Sequence, residues 1–258
     1  MTHAGAAAFE AGEAEPAFRP RSPAALLAIA LATIVAFSGF CALGVWQVER
    51  RAWKLDLIGR VEARVHSAPT AAPAPADWPR VNAADDEYRR VRIEGVFERG
   101  KDTLVQATTE LGAGYWVLSP LRTTDGFSVL VNRGFIPADR KDPASRAAGE
   151  PSGETTVVGL LRMTEPKGGF LRANDPAADL WRSRDVAAIS AARGLTDAAP
   201  YFIDADAAPN PGGLPVGGLT VVAFRNQHLV YALTWFALAA LVAGAAAIVA
   251  RHEFRARR

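Results

Sequence analysis

The sequence has one cysteine, Cys41, in 258 residues. An intramolecular disulfide is therefore impossible, and neither a Cys-x-x-Cys redox pair nor a thiolate zinc cluster can be built. Histidine is also sparse: His3, His66, His228 and His252 are too scattered to suggest a preformed metal cage. Charge is close to balance, at a net +2, which gives no reason to expect nucleic acid as a partner. No glycine-rich phosphate loop follows a strand and opens a helix; Gly212-Gly213 lies in a proline-rich stretch that suits a turn. A Gly-x-Ser-x-Gly elbow is missing, and His66 lies near the first apolar run. Asp175, Asp185, Asp204 and Asp206 have no spacing that makes a catalytic pair, and Asn174-Asp175-Pro176 reads as a turn. Catalytic residues are therefore not assigned, and an enzyme is not expected.

Long apolar runs are present. Ala24 to Trp46 is uncharged for 23 residues, and Leu229 to Ala250 for 22. At about 1.5 Å per residue each run can cross a hydrocarbon core of roughly 30 Å. The first exceeds the roughly 7–15 residue apolar region of a cleaved signal and ends in Leu43-Gly44-Val45-Trp46, which predicts a retained anchor. Two spans put both termini on one side. The tail Arg251–Arg258 holds four arginines in eight residues, so that side is expected to be cytoplasmic and the central region outward. Arg50, Arg51 and Lys54 oppose this, but a long loop crosses largely regardless of its charge.

The expected organisation is a disordered tail (1–22), a first transmembrane helix (23–46), an outward domain (47–227), a second transmembrane helix (228–250) and a basic tail (251–258). Within the domain, 47–66 reads as a helical stalk. The prolines at 69, 73, 75 and 79 read as a semi-rigid linker over 68–79. About 180 residues between the spans are enough to bury a core. Beyond the linker the apolar period becomes two. Strands are expected at Val91–Glu98 (with a break at Gly95), Thr103–Ala107, Tyr115–Arg122, Phe127–Phe135, Thr155–Met163, Tyr201–Asp204 and Leu219–Arg225. Thr123-Thr124-Asp125-Gly126 signals a hairpin turn, and Arg184–Arg193, closed by Gly194, is the only helix expected inside the domain. The fold class is membrane-anchored α+β: two transmembrane helices flank a mainly antiparallel β domain, a partly closed barrel or a sandwich.

Two residue sets stand at the membrane boundary. His228, Tyr231 and Trp235, at i, i+3 and i+7, fall on one helical face at the mouth of the second run. They suit either an interfacial anchor or an imidazole ligand with rings packing a flat macrocycle. Trp46, Arg50 and Trp53, at i, i+4 and i+7, also share a face, and Arg50 can lie over an indole. That face is either an aromatic belt in membrane lipid or a partner surface.

An ordered series of short motifs resembles the Surfeit-locus (Shy) family of cytochrome c oxidase assembly factors. The pieces are Leu43-Gly44-Val45-Trp46-Gln47-Val48-Glu49-Arg50, Tyr88-Arg89-Arg90-Val91, Val131-Asn132-Arg133-Gly134-Phe135-Ile136-Pro137, Asn174-Asp175-Pro176, Tyr201-Phe202-Ile203-Asp204-Ala205 and Phe224-Arg225-Asn226-Gln227-His228-Leu229. They run in the family's order, with Phe135 and Phe236 standing where it often has Trp and Tyr. The resemblance, to a bacterial member, implies an inner-membrane chaperone of the respiratory chain that helps place haem a in the catalytic subunit of a haem–copper oxidase. That subunit and haem a synthase are the partners it implies. A scaffold for an oxidase intermediate that never binds haem is the alternative. By resemblance, His228 becomes a haem-iron ligand and Trp235 a haem-contacting ring. Cys41, about 8 Å below the mouth of the first span at helical rise, is the competing ligand.

Overall fold

The computed structural model describes residues 21–166, 168–169, 172–220, 222, 224 and 226–258. They fall into two compact units, one from Met1–Leu55 with Arg225–Arg258 and the other Asp56–Phe224. The expected tail lies outside the described residues through residue 20.

The first unit is a pair of helices. Helix α1 runs unbroken over Pro23–Val65, so the expected span and stalk are one helix, whose last turns from Asp56 belong to the second unit. The C-terminal helix starts at His228 and ends at Ala256; it is α4 below. Both are long and apolar enough to cross a membrane, and little of either apolar stretch is covered by protein. The protein is therefore a membrane protein.

What is covered follows a narrow seam. On α1 it includes Thr33, Ala36, Phe40, Gly44, Gln47, Arg51 and Lys54, with Cys41 beside Phe40 and with Ala25 and Leu26 near the start of the helix also half-buried. On α4 it includes His228, Ala232, Trp235, Ala239, Val242, Ala246, Val249 and Glu253, with Leu238 half-buried beside Ala239. Spacings of three and four give a period near 3.5, the repeat of helices that pack side by side with a slight left-handed coil. Small residues recur on that seam: Ala36 and Gly44 on α1, and Ala232, Ala239 and Ala246 on α4. At one end, buried Glu253 accepts from the backbone N–H and the guanidinium of Arg21, at 3.2 and 3.0 Å.

The second unit is a closed β barrel. Its strands are β1 (Thr70–Ala71), β2 (Arg90–Phe97), β3 (Thr103–Thr109), β4 (Gly112–Thr123), β5 (Ser128–Pro137), β6 (Glu154–Met163) and β7 (Ala198–Ala205). The hydrogen-bonded order is β1-β2-β6-β7-β5-β4-β3, and β4 also pairs with β2, closing a ring of β2, β6, β7, β5 and β4. Pairing is antiparallel except for β1 with β2 and β5 with β7. The far edge of β4 is divided: residues 112–118 pair with β3 and residues 121–123 with β2. Pro120, which has no N–H to donate, falls at that changeover. Gly95 does not break β2. A Cβ there would lie 2.2 Å from the Arg122 carbonyl oxygen, so glycine permits the closing contact.

Inside the ring Val91, Ile93, Leu121, Val129, Val131, Val157, Leu161, Tyr201 and Ile203 are buried, at alternate positions as the pleat demands. The outer face of β5 and β7 is covered too. Leu130 and Phe202 pack with Trp181 and with Val186 and Ile189 of helix α3 (Val186–Ala192). Strand β5 therefore reads as a continuous apolar run. Asp185 caps α3 by accepting from the Ala188 N–H at 3.1 Å, and Gly194 follows it at φ 62°.

Three further expectations need correction. A short helix, α2 (Ala83–Asp86), lies in the domain besides α3, capped by Asn82 accepting from Asp85 N–H at 3.0 Å. The proline-rich segment is docked on the barrel rather than being a spacer. Thr70–Ala71 pairs with β2, and the Pro73 carbonyl accepts from Tyr201 Oη at 2.7 Å and from the Trp78 indole at 3.1 Å. The last expected strand is not formed at Leu219 and Thr220, while Val221, Ala223 and Arg225 lie outside the described residues.

Candidate functional site

The strongest candidate lies within the helix pair, where the seam turns polar. Gln47 follows the apolar run of α1 and is buried; His228 opens α4 and is half-buried. His228 Nδ1 is 2.7 Å from Gln47 Oε1. A carbonyl oxygen only accepts, so in this contact Nδ1 is the donor, and a neutral ring that donates there keeps its lone pair on Nε2. Among the described residues Nε2 has no hydrogen-bond partner. One turn deeper, Gly44 meets the ring of Phe236: a Cβ on Gly44 would be 2.6 Å from its Cε1. Deeper still, Trp235 stacks on Phe40 with centroids 5.7 Å apart and planes inclined by 24°.

His228 and Trp235 thus share the seam. Tyr231 does not: the seam steps four residues from His228 to Ala232 and then three to Trp235, leaving Tyr231 on the exposed flank. Cys41 is half-buried on α1, with a free thiol. Sequence reasoning missed Gln47, Phe40 and Gly44 as partners of this site. The signal that could have found them was a lone amide at the end of an uncharged run, one helical turn from a glycine.

Trp46, Arg50 and Trp53 occupy the side of α1 away from the seam. Both indoles are about half exposed, and the Arg50 guanidinium lies 4.0 Å from the Trp53 ring centre.

The barrel holds a second polar centre. Asp204, buried on β7, accepts from Asn132 at 2.7 Å, Arg162 at 2.8 Å, Arg184 at 3.1 Å and Thr220 at 3.0 Å. Arg162 also bonds Glu87 at 2.7 Å, and Arg184 pairs with Glu165. Burial alone would raise the Glu165 carboxyl; the hydrogen bonds and charge of Arg184, with Arg162 beside it, outweigh burial and hold it below its ordinary range. Burial would likewise lower Arg162, but Asp204 and Glu87 hold its proton more strongly still. A depression of about 490 Å³ beside this cluster is lined by Tyr88, Trp116, Arg162, Arg184 and Thr220. Its arginines are already matched by carboxylates, which makes the network a fastening between strands rather than an anion receptor. The other carboxylates also have structural partners. Asp206 pairs with Arg90 at 2.6 Å, Asp175 accepts from Ala178 N–H at 3.2 Å, and Asp185 caps α3. Asn174 Oδ1 accepts from the backbone of Arg182 and Ser183, at 2.7 and 3.1 Å, holding the turn that contains Pro176. Among the described residues no three His, Cys, Asp or Glu side chains converge to hold a metal ion. A macrocyclic cofactor needs less from the protein, since it carries its own equatorial nitrogens.

The SURF1 family model matches residues 34–240. Human Surfeit locus protein 1 is 37% identical over 217 residues, covering 77% of this chain and 69% of its own. The Rattus norvegicus protein of the same name is 38% identical over 214 residues, with 77% and 68% covered. A Drosophila melanogaster SURF1-like protein is 33% identical over 217 residues, with 77% and 69% covered.

Proposed function

The chain belongs to the SURF1 family of cytochrome c oxidase assembly factors, and from that premise we propose that it binds haem a and assists its insertion into the catalytic subunit of a haem–copper oxidase. The observation that carries the haem reading is the His228–Gln47 contact. Nδ1 is engaged at 2.7 Å, which leaves the neutral ring with a lone pair on Nε2, the form an imidazole ligand needs. When bound, the cofactor supplies redox iron in a flat aromatic ring. The chain's own residues would bind and orient it: His228 would supply an imidazole nitrogen to the iron, and Tyr231 and Trp235 would pack apolar surface beside it. The role is to hold and hand over, without turnover.

Partners on this reading are the oxidase catalytic subunit, haem a synthase and membrane lipid, with Trp46, Arg50 and Trp53 as the docking face. The setting is the bacterial inner membrane, crossed twice, with both termini cytoplasmic and the barrel periplasmic. The basic tail after α4 supports that orientation.

One observation favours a second reading. Trp235 already stacks on Phe40 and His228 already bonds Gln47, so both side chains have partners inside the helix pair. A scaffold that holds an oxidase intermediate and never binds haem needs nothing more from them. Co-expression with a haem a pathway separates the two. Purified wild type is expected to carry haem a, His228→Ala to lose it, Trp235→Phe to keep most of it, and Cys41→Ser to match wild type in optical and resonance Raman spectra. Wild type without haem a favours the scaffold, and loss only in Cys41→Ser moves the iron to the first span.

A further inference from the structure

Gln47 and His228 are 181 residues apart in sequence, and their side chains meet in a pair of helices otherwise joined there by apolar contacts. Gln47 is buried, and so an amide oxygen without a donor would be unfavourable at this position. His228 is the first residue of its helix, where no preceding turn restrains its ring. Gly44, one turn from Gln47, has no side chain and so leaves room for the Phe236 ring of α4 beside this contact.

We propose that Gln47 is a positioning residue: its amide oxygen fixes His228 in the tautomer with hydrogen on Nδ1 and holds the ring so that Nε2 presents a lone pair to iron. This rests on the haem reading for what Nε2 binds, but not for the tautomer. A neutral amide suits this role, because it orients the imidazole without the strong increase in donor strength that a carboxylate partner would bring. It also ties the ligand on α4 to α1, so a shift of one helix along the other would alter how the iron ligand is held.

The test has two arms on the full-length chain in lipid nanodiscs. In the first, ring-¹⁵N-labelled histidine is read by NMR without haem, with the His228 signals assigned by their loss in His228→Ala. Wild type is expected to show Nδ1 protonated and Nε2 bare. Gln47→Leu is expected to shift the ring toward Nε2 protonation, while Gln47→Glu keeps hydrogen on Nδ1. In the second arm, Gln47→Leu is expected to weaken haem affinity by about 10–100-fold, the usual effect of removing a ligand's hydrogen-bond partner. The ferrous iron–histidine stretch should fall in Gln47→Leu and rise in Gln47→Glu, whose carboxylate makes the ring a stronger donor. Wild type with Nε2 protonated overturns the proposal, as does Gln47→Leu with an unaltered tautomer and stretch. If His228→Ala keeps its haem, the assignment of His228 as ligand fails, and the first arm alone decides what Gln47 does to the ring; if wild type carries none, the haem reading itself fails. Gln47→Glu retains an acceptor, so a poorly folded Leu variant still leaves a decisive comparison.

Discussion

Gly44 of α1 lies against the aromatic ring of Phe236 of α4, so close that a Cβ would stand 2.6 Å from Cε1 and 2.7 Å from Cζ. No side chain fits there unless the ring turns away or the helices part. This glycine leaves the space that the ring occupies, one turn from the Gln47–His228 bond. Gly44→Val is therefore expected to destabilise the helix pair by about 1–3 kcal/mol, the usual range for overpacking a fitted contact. Denaturant titration in detergent, followed by circular dichroism, measures it. Phe236→Ala in the Gly44→Val background should recover part of the loss, because the obstruction is one ring. Equal stability of Gly44→Val and wild type would mean that the ring is not confined.

Much of this architecture was legible, for physical reasons that differ by element. The spans were readable because an uncharged run of that length has few other homes. Most barrel strands were readable from alternation or from short apolar runs, and the Thr123–Gly126 turn emerged with Gly126 at φ 89°. Closure of the barrel was not readable: it depends on Gly95 admitting β4, a contact with residues nearly thirty positions away. Strand β1 was hidden because a two-residue pairing between prolines has no period of its own. At the site, His228 and Trp235 stood out by type, position and family resemblance. Gln47 did not, since what marks it is a partner 181 residues away, and only the helix pair brings the two together.

Tyr201 makes the barrel sensitive to alkali. Its side chain is fully buried, its hydroxyl donates to the Pro73 carbonyl at 2.7 Å, and burial pushes its pKa well above the usual value near 10. The folded state keeps this proton to higher pH than the unfolded chain does. The stabilisation is therefore fully present below about pH 10 and is lost as pH rises beyond it, by up to about 1.4 kcal/mol per pH unit from this group. Tyr201→Phe is expected to cost about 1 kcal/mol at neutral pH through the lost hydrogen bond and to lack that alkaline decline. Urea unfolding of both proteins between about pH 8 and 11 checks this, because other titrating groups are common to the pair. Parallel curves would show that Tyr201 does not control the decline.

The face of α1 turned away from the seam separates folding from association. Trp46 is 52% and Trp53 47% exposed, and Arg50 lies 4.0 Å over the Trp53 ring. A cation–ring contact at such exposure is worth only about 0.5–1 kcal/mol, so reversing the charge at Arg50 should leave the protein inserted and folded. A docking face behaves differently. Arg50→Glu would set a carboxylate between two indoles and confront any acidic partner with like charge, a change felt in association rather than folding. We expect Arg50→Glu to reach wild-type abundance in the membrane yet to recover less oxidase catalytic subunit on affinity purification, with Trp53→Ala weaker in the same direction. Unchanged recovery at equal abundance would leave these side chains as a lipid-facing belt, in which Trp and Arg anchor a spanning helix at the headgroup layer without touching a partner.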